Sequence, residues 1–322
     1  MNYWLGPNFR MMQSDVGSMD SKTEIFLEYR ALLFSVAYNM LGIVENAEDM
    51  VQEIYLKWME LENENIKYVK AYLVKMVTNK CINYLESAKV KREQYVGVWL
   101  PEPFVNYEMD REHKLVDSYH ALSIGVLRML EKLTPQERAI FILHEVFAYD
   151  HKELAEIFDK TEDNCRQIFK RARDNMGGNV KRFIVDTIAH KKMAANFFEA
   201  LSEGKIEDLI ELFKEDIVLY ADGGGKALAV SGVRISAALN PIYGREDVSR
   251  FIITVTNRIF EHVPDVHSEI IISNGVPSII SYTGLVAFSF NSFDMEGGKI
   301  TTIYSQTNPD KLKQFNKIFY NP

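Results

Sequence analysis

Cysteine is scarce in this chain. Its 322 residues hold two, Cys81 and Cys165. Each sits in a helical apolar pattern, which argues against a disulfide framework or a cysteine-rich zinc site and fits a reducing cytoplasm. Long apolar runs are missing as well. None approaches the length that crosses a bilayer, so no membrane partner is expected. Residues 1–22 lack the apolar core of a secretory signal. They read as a disordered tail, with Met11, Met12 and Met19 as alternative initiators. Basic excess is also absent. A net charge of −8 argues against a nucleic-acid coat over the whole surface, though not against a local patch. No metal and no cofactor is expected. What remains is an ordinary globular composition, 47% hydrophobic and 25% charged, in a chain long enough for two or three domains.

The most informative stretch is residues 133–176, which carries three helix starts. Thr134 caps the first, with Pro135 at its first position and Glu137 three residues after the cap. That spacing lets two unpaired amides be satisfied reciprocally. Asp150 opens the second helix with Glu153 at the same spacing, and Thr161 opens the third. On the third, Cys165, Ile168, Ala172 and Met176 recur at helical spacing and form an inner face. Arg166, Gln167, Lys170, Arg171 and Arg173 point away. Two short helices with a tight link and such an outer face form a helix-turn-helix arrangement. Arginine and glutamine pair with guanine and adenine edges, and the bases beside them neutralise phosphates. A solvated basic helix in a bundle gives the same local pattern.

Upstream, an apolar stripe from Ile25 to Tyr38 marks one helix, and Asn46 reads as the cap of a second. On that second helix Asp49, Gln52 and Glu53 share a face, which by itself is an ordinary solvated face. A third helix is read over residues 69–89. Around it Lys70, Lys75, Lys80, Lys89, Lys91 and Arg92 stand among Asn79, Asn83, Ser87 and aromatics, a mixture that suits an unpaired strand. Residues 93–116 form a linker, since Pro101 and Pro103 forbid continued helix. Its large apolar groups, Trp99, Leu100, Phe104 and Tyr107, need a partner surface. A helix over residues 117–132 leads back to the central stretch.

After Gly177 and Gly178, helices are expected over residues 193–202 and 206–213. Strands then follow over 217–221, 228–230, 266–272, 278–282, 285–291 and 300–306. Helices over 245–260 and 309–319 accompany them. Helices followed by a run of strands indicate a separate α+β domain. A bent sheet wrapped on helices makes a cone with an interior pocket for a small ligand.

Three short motifs then bear on identity: WLPEP at residues 99–103, DGGGK at 222–226 and NPDKL at 308–312. With NCRQIFKRAR at residues 164–173, they make the chain resemble the extracytoplasmic-function RNA polymerase sigma factors with a fused SnoaL-like C-terminal domain, the SigJ-like group. The resemblance covers residue 23 to the end. It implies a multidomain fold with two all-α sigma domains, a region 2 helical bundle and a region 4 helix-turn-helix, plus a C-terminal α+β cone-shaped SnoaL-like domain. The implied division is a tail (1–22), region 2 (23–92), a linker (93–116), region 4 (117–181), a connection (182–192) and the SnoaL-like domain (193–322).

Carried onto this sequence, the resemblance makes Asp49, Gln52 and Glu53 contacts to core RNA polymerase. It makes Asn83, Ser87, Lys89, Lys91 and Arg92 readers of the melted −10 element. Glu86 departs from the group, which usually has arginine there. Asn164, Arg166, Gln167, Lys170, Arg171 and Arg173 become readers of the −35 duplex. A regulatory contact within the chain is implied between Trp99, Leu100, Pro101, Glu102 and Pro103 on one side and two motifs on the other. These are Asp222, Gly223, Gly224, Gly225 and Lys226, and Asn308, Pro309, Asp310, Lys311 and Leu312. By their residues alone the latter two motifs are a glycine-rich turn and a helix start. The partners implied are core polymerase, promoter DNA and an unidentified small ligand in the C-terminal domain.

Three readings of that domain compete: a docked regulator, a bare ligand sensor, and an enzyme of the SnoaL type. The last wants an acid–base pair. His262 and His267 are the nearest candidates, and no paired carboxylate accompanies them, so no enzyme is expected. The alternative for the whole chain is a stand-alone helix-turn-helix regulator with a ligand-sensing tail.

Overall fold

The computed structural model describes residues 21–61, 66–93, 95–105, 121–177, 186–226, 228–230, 233–235 and 237–318. Helices α1 (Ser21–Leu41), α2 (Val44–Glu60) and α3 (Val69–Glu93) form the first module. Helices α4 (Ile124–Leu130), α5 (Pro135–Glu145), α6 (His151–Phe158) and α7 (Glu162–Asn175) form the second. The start signals at Thr134 and Asp150 are both complete capping boxes. Thr161 accepts from the Asn164 amide at 3.2 Å. Cys165, Ile168, Ala172 and Met176 are buried, together with Phe169.

Three expectations about helix ends need correction. Asn46 does not cap α2. The helix begins at Val44 after Ile43, which offers no side-chain cap, and the Val44 amide is met by Glu102 Oε2 at 2.8 Å, 58 residues away. Helix α3 runs past residue 89 to Glu93. In the described part of the lead-in helix, Ser123 caps a start at Ile124; residues 117–120 lie outside the described residues, as does Tyr107.

The two helical modules share one apolar core, from Phe26 and Leu33 of α1 through Leu127 and Phe141 to Ile168 of α7. Arg138 of α5, 4% exposed, donates from Nη1 to Met40 O at 2.8 Å and from Nε to Leu130 O at 3.1 Å, and pairs with Glu131 at 2.9 Å. Lys75 of α3 pairs with Asp159 at 2.7 Å.

The C-terminal half contains α8 (Thr187–Glu203), α9 (Ile206–Leu212), β1 (Phe213–Asp222), β2 (Leu228–Val230), β3 (Val233–Ile235), β4 (Ile242–Tyr243) and α10 (Arg245–His262). It continues with β5 (Val266–Ser273), β6 (Val276–Thr283), β7 (Val286–Glu296), β8 (Lys299–Gln306) and α11 (Pro309–Ile318). The short strands β3 and β4 are not evident from the sequence pattern. Six strands make one sheet in the order β4-β1-β8-β7-β6-β5, with β1 parallel to β8 and the other pairs antiparallel. Register shifts at Ser281/Tyr282 and Asp294/Met295 bend it. One face, with Ile279, Phe293 and Ile303, packs on α8, α9 and α10. The opposite face, with Ile280, Phe290 and Tyr304, packs on Leu100, Ile124 and α11. The sheet thus lies between the α8–α10 layer, whose outer side is exposed, and the linker with the start of the second helical module.

Candidate functional site

Residues 95–105 lie as a strap between the first helical module and the second face of the sheet. Asp222, the last residue of β1, is fully buried. A carboxylate offers about four acceptor positions, and here four donors at 2.5 to 2.9 Å fill them, with Gln306 Nε2 more distant at 3.5 Å. Leu100 N and Lys311 Nζ reach Oδ2 at 2.8 and 2.7 Å, and Tyr95 Oη and Gly224 N reach Oδ1 at 2.5 and 2.9 Å. Lys311, on α11, also donates to Leu100 O at 2.5 Å and lies 4.5 Å above the Trp99 ring. The ion pair is buried at both ends, with side-chain exposures of 8% and 0%. Burial, followed by its hydrogen bond to Asp222, pushes the Tyr95 phenol well above the usual tyrosine range, so it stays a donor.

The glycine run serves this approach. Gly224 has φ +60°, and a Cβ there would fall within 2.4 Å of Asn308 Nδ2 and 3.1 Å of the Tyr95 hydroxyl. Asn308 donates to that same hydroxyl at 2.9 Å, and its Oδ1 accepts from Asp310 N at 3.0 Å to start α11. Gln314 donates to Pro103 O. Leu312 is buried in the same cluster as Leu100. Lys226 pairs instead with Asp310 at the surface, and Gly223 approaches Ala237. Those three residues of the motifs do not touch the strap in the contacts described.

On its other side the strap is fixed to the first module. Glu102 N donates to Gly42 O at 2.8 Å, and Tyr38 Oη donates to Glu102 O at 2.6 Å. The Glu102 carboxylate sits at the N-terminus of α2, where the backbone amides favour a negative charge. Burial outweighs both the Val44 amide and Lys311 and raises its pKa to about 7, with Glu45 and Glu48 adding in the same direction.

A further contact was not visible in the sequence. Asn274 and Gly275, both at positive φ, form the turn between β5 and β6. The buried Asn274 donates from Nδ2 to Tyr38 Oη and to Leu122 O, each at 2.8 Å, and accepts from Phe104 N at 2.9 Å. One side chain therefore touches the first module, the strap and the lead-in to the second. An Asn-Gly pair between alternating runs is a hairpin signal, but nothing local announces what the turn meets.

The outward residues of α7, Asn164, Arg166, Gln167, Lys170, Arg171 and Arg173, are all exposed. Arg166 is held by Glu162 and Asp163 at 2.7 and 2.8 Å. Asp49 and Gln52 of α2 are exposed, whereas Glu53 pairs with Lys80 at 2.5 Å. Asn83 and Ser87 of α3 are exposed; the side chains of Lys89, Lys91 and Arg92 lie outside the described ones. Among the described residues no helix is long and apolar enough to cross a membrane.

Comparison with known proteins places these modules. The Sigma-70 region 2 family matches residues 25–90, and the Sigma-70 region 4 family matches residues 124–176. The chain is 29% identical over 298 residues to the ECF RNA polymerase sigma factor SigJ of Mycobacterium tuberculosis, covering 88% of this chain and 92% of the relative. It is 25% identical over 292 residues to the probable ECF RNA polymerase sigma factor SigI of that organism, with the same coverage. The crystal structure of Mycobacterium tuberculosis SigJ superposes with a TM-score of 0.70 at 27% identity, covering 90% of this chain and 98% of that one.

Proposed function

We propose that this chain, which belongs to the extracytoplasmic-function RNA polymerase sigma factors of the SigJ type, is held shut by its own C-terminal domain through the strap. As a sigma factor it directs promoter recognition and transcription initiation, acting with core RNA polymerase and promoter DNA. In our reading, region 2 spans residues 23–92, the linker 93–116, region 4 117–181, the connection 182–192 and the SnoaL-like domain 193–322. Asp49, Gln52 and Glu53 meet the polymerase. The α3 end, with Asn83, Ser87, Lys89, Lys91 and Arg92, meets the melted strand. The outer face of α7 meets duplex DNA, for which Arg166 must leave its two carboxylates.

The observation that carries the closed reading is the single apolar core shared by regions 2 and 4. The −10 and −35 elements are named for positions roughly 25 base pairs apart, about 85 Å of duplex at about 3.4 Å per pair. A packed body of the size of these two regions has a radius of gyration of only about 14 Å. Both elements are read at once only if the shared core parts. The strap, Asn274 and the Lys311–Asp222 pair all join the C-terminal domain to the closed arrangement. Its interior cavity supports a small ligand as a further partner. No ionisable side chain lines that cavity among the described residues, so we assign it binding rather than acid–base catalysis.

The test is a distance. With spin labels on Lys57→Cys and Lys152→Cys, both exposed positions, the free chain is expected to give one short distance. Core polymerase is expected to lengthen it. A transcribing complex with the short distance unchanged rejects the closed reading. The native cysteines are buried and leave the labels specific.

A further inference from the structure

Helices α8 and α10 and the inner face of the sheet enclose a cavity of about 110 Å³. Its walls are apolar, from Phe251 and Val255 on α10 to Phe288, and Phe198 and Phe260 are exposed at 36% and 46%. Its floor is different. Ser268, Ser281 and Ser289 are register partners across β5, β6 and β7, and Asn291 is paired with Ser305 across β7 and β8. All five line the cavity and are half-buried. They exchange some hydrogen bonds, Ser268 with Ser281 at 2.8 Å and Asn291 Nδ2 to Ser289 Oγ at 3.1 Å. Each hydroxyl has one donor and two lone pairs, and the amide has two donors and a carbonyl. The floor therefore has bonding capacity beyond what it uses internally.

We propose that this cavity binds a small uncharged amphiphile, with an apolar body of about six to eight non-hydrogen atoms and one hydroxyl or carbonyl that meets the serine–asparagine floor. The proposal rests on the reading of the C-terminal domain as a ligand-binding module and names the class of ligand. Size sets the body: a closed cavity of about 150 Å³ takes benzene, and this one, smaller but open past Phe198 and Phe260, takes a slim tail of that order. Charge sets the head group. An ionised carboxylate or ammonium enclosed here meets no counter-charge among the described lining, and burying an unpaired charge is strongly unfavourable. A neutral head group loses little, because hydroxyls and an amide replace its water. The site also adjoins the latch. Ser305 of β8 faces the cavity, while its neighbour Gln306 reaches within 3.5 Å of Asp222 Oδ2 and of Pro101 O on the strap side.

Three probes with one tail separate the possibilities: 1-hexanol, hexanoate and hexylammonium. Each is titrated into the full chain, with methyl NMR shifts of Ile252, Val255, Ile259 and Val266 as the readout. Hexanol is expected to bind at least tenfold more tightly than either ion. Val255→Trp, which fills the cavity, is expected to weaken hexanol at least tenfold with cooperative melting retained. Ser281→Val keeps the cavity and weakens hexanol about threefold or more, so the test stands even if the tryptophan variant does not fold. An ion that binds as tightly as hexanol overturns the class while leaving a ligand-binding domain. Absence of shifts with all three overturns the class and the ligand-binding reading together. Hexanol binding unchanged in Ser281→Val overturns the role of the floor.

Discussion

Asp222→Ala is expected to release the strap and to produce the largest effect of any single substitution in the chain's C-terminal half. The carboxylate accepts four hydrogen bonds of 2.5 to 2.9 Å, and its removal strands all four donors at once. The Leu100 and Gly224 amides, the Tyr95 hydroxyl and above all the Lys311 ammonium lose this acceptor. Removing one partner of a buried ion pair costs about 3–5 kcal/mol, because the other charge stays buried. The strap therefore undocks, and the Leu100 amide is expected to exchange its hydrogen at least a hundredfold faster. Backbone pairing of β1 with β8 does not depend on this side chain, so exchange in the sheet is a control and should stay slow. Adding Lys311→Met to Asp222→Ala removes the stranded charge and should restore part of the protection. A double variant as unprotected as the single one denies that the ion pair is the source.

The second large effect is a dependence of strap docking on pH, set by Glu102. In the docked strap its pKa is about 7, against 4.5 for an unperturbed glutamate, with burial the main cause. A group that holds its proton more tightly when docked favours docking where it is protonated. Docking is therefore strongest below about pH 4.5, weakens as pH rises from there towards 7, and stays at its weaker level above. A rise from 4.5 to about 7 corresponds to a change on the order of 300-fold in the docking equilibrium. Protease cleavage within residues 95–105, followed from pH 5 to 8 at constant ionic strength, is expected to rise across that window. Glu102→Gln, which cannot ionise, should flatten the profile at the slow-cleavage end. Cleavage that falls with rising pH, or a glutamine variant with the wild-type profile, contradicts the assignment.

Much of the helical architecture was legible locally. Thr134, Asp150 and Thr161 each declare a helix by a hydroxyl or carboxylate placed three residues before its partner, and the period of Cys165, Ile168 and Ala172 separated the inner face of α7 from its basic side. The approach of WLPEP to DGGGK and NPDKL was legible only through resemblance, since each motif alone is a proline break, a turn and a helix start. What escaped was set by tertiary partners. Asn46 was an attractive cap by type, but the N-terminus of α2 is satisfied by Glu102, far along the chain. Asn274 is a turn residue in any sequence reading, and its hydrogen bonds to Tyr38, Phe104 and Leu122 exist only because three segments meet there. Lys75 and Lys80 looked like bases for a nucleic-acid strand, yet each is paired with a carboxylate in the folded chain.

Run-off transcription tests the account most directly. Purified core polymerase is combined with a randomised promoter library and this chain as the sole specificity factor. The wild-type chain is expected to give discrete transcript starts, and Asp222→Ala to raise their yield. Starts that appear only when another sigma factor is supplied, or an Asp222→Ala yield equal to wild type with the strap shown to be undocked, would contradict it.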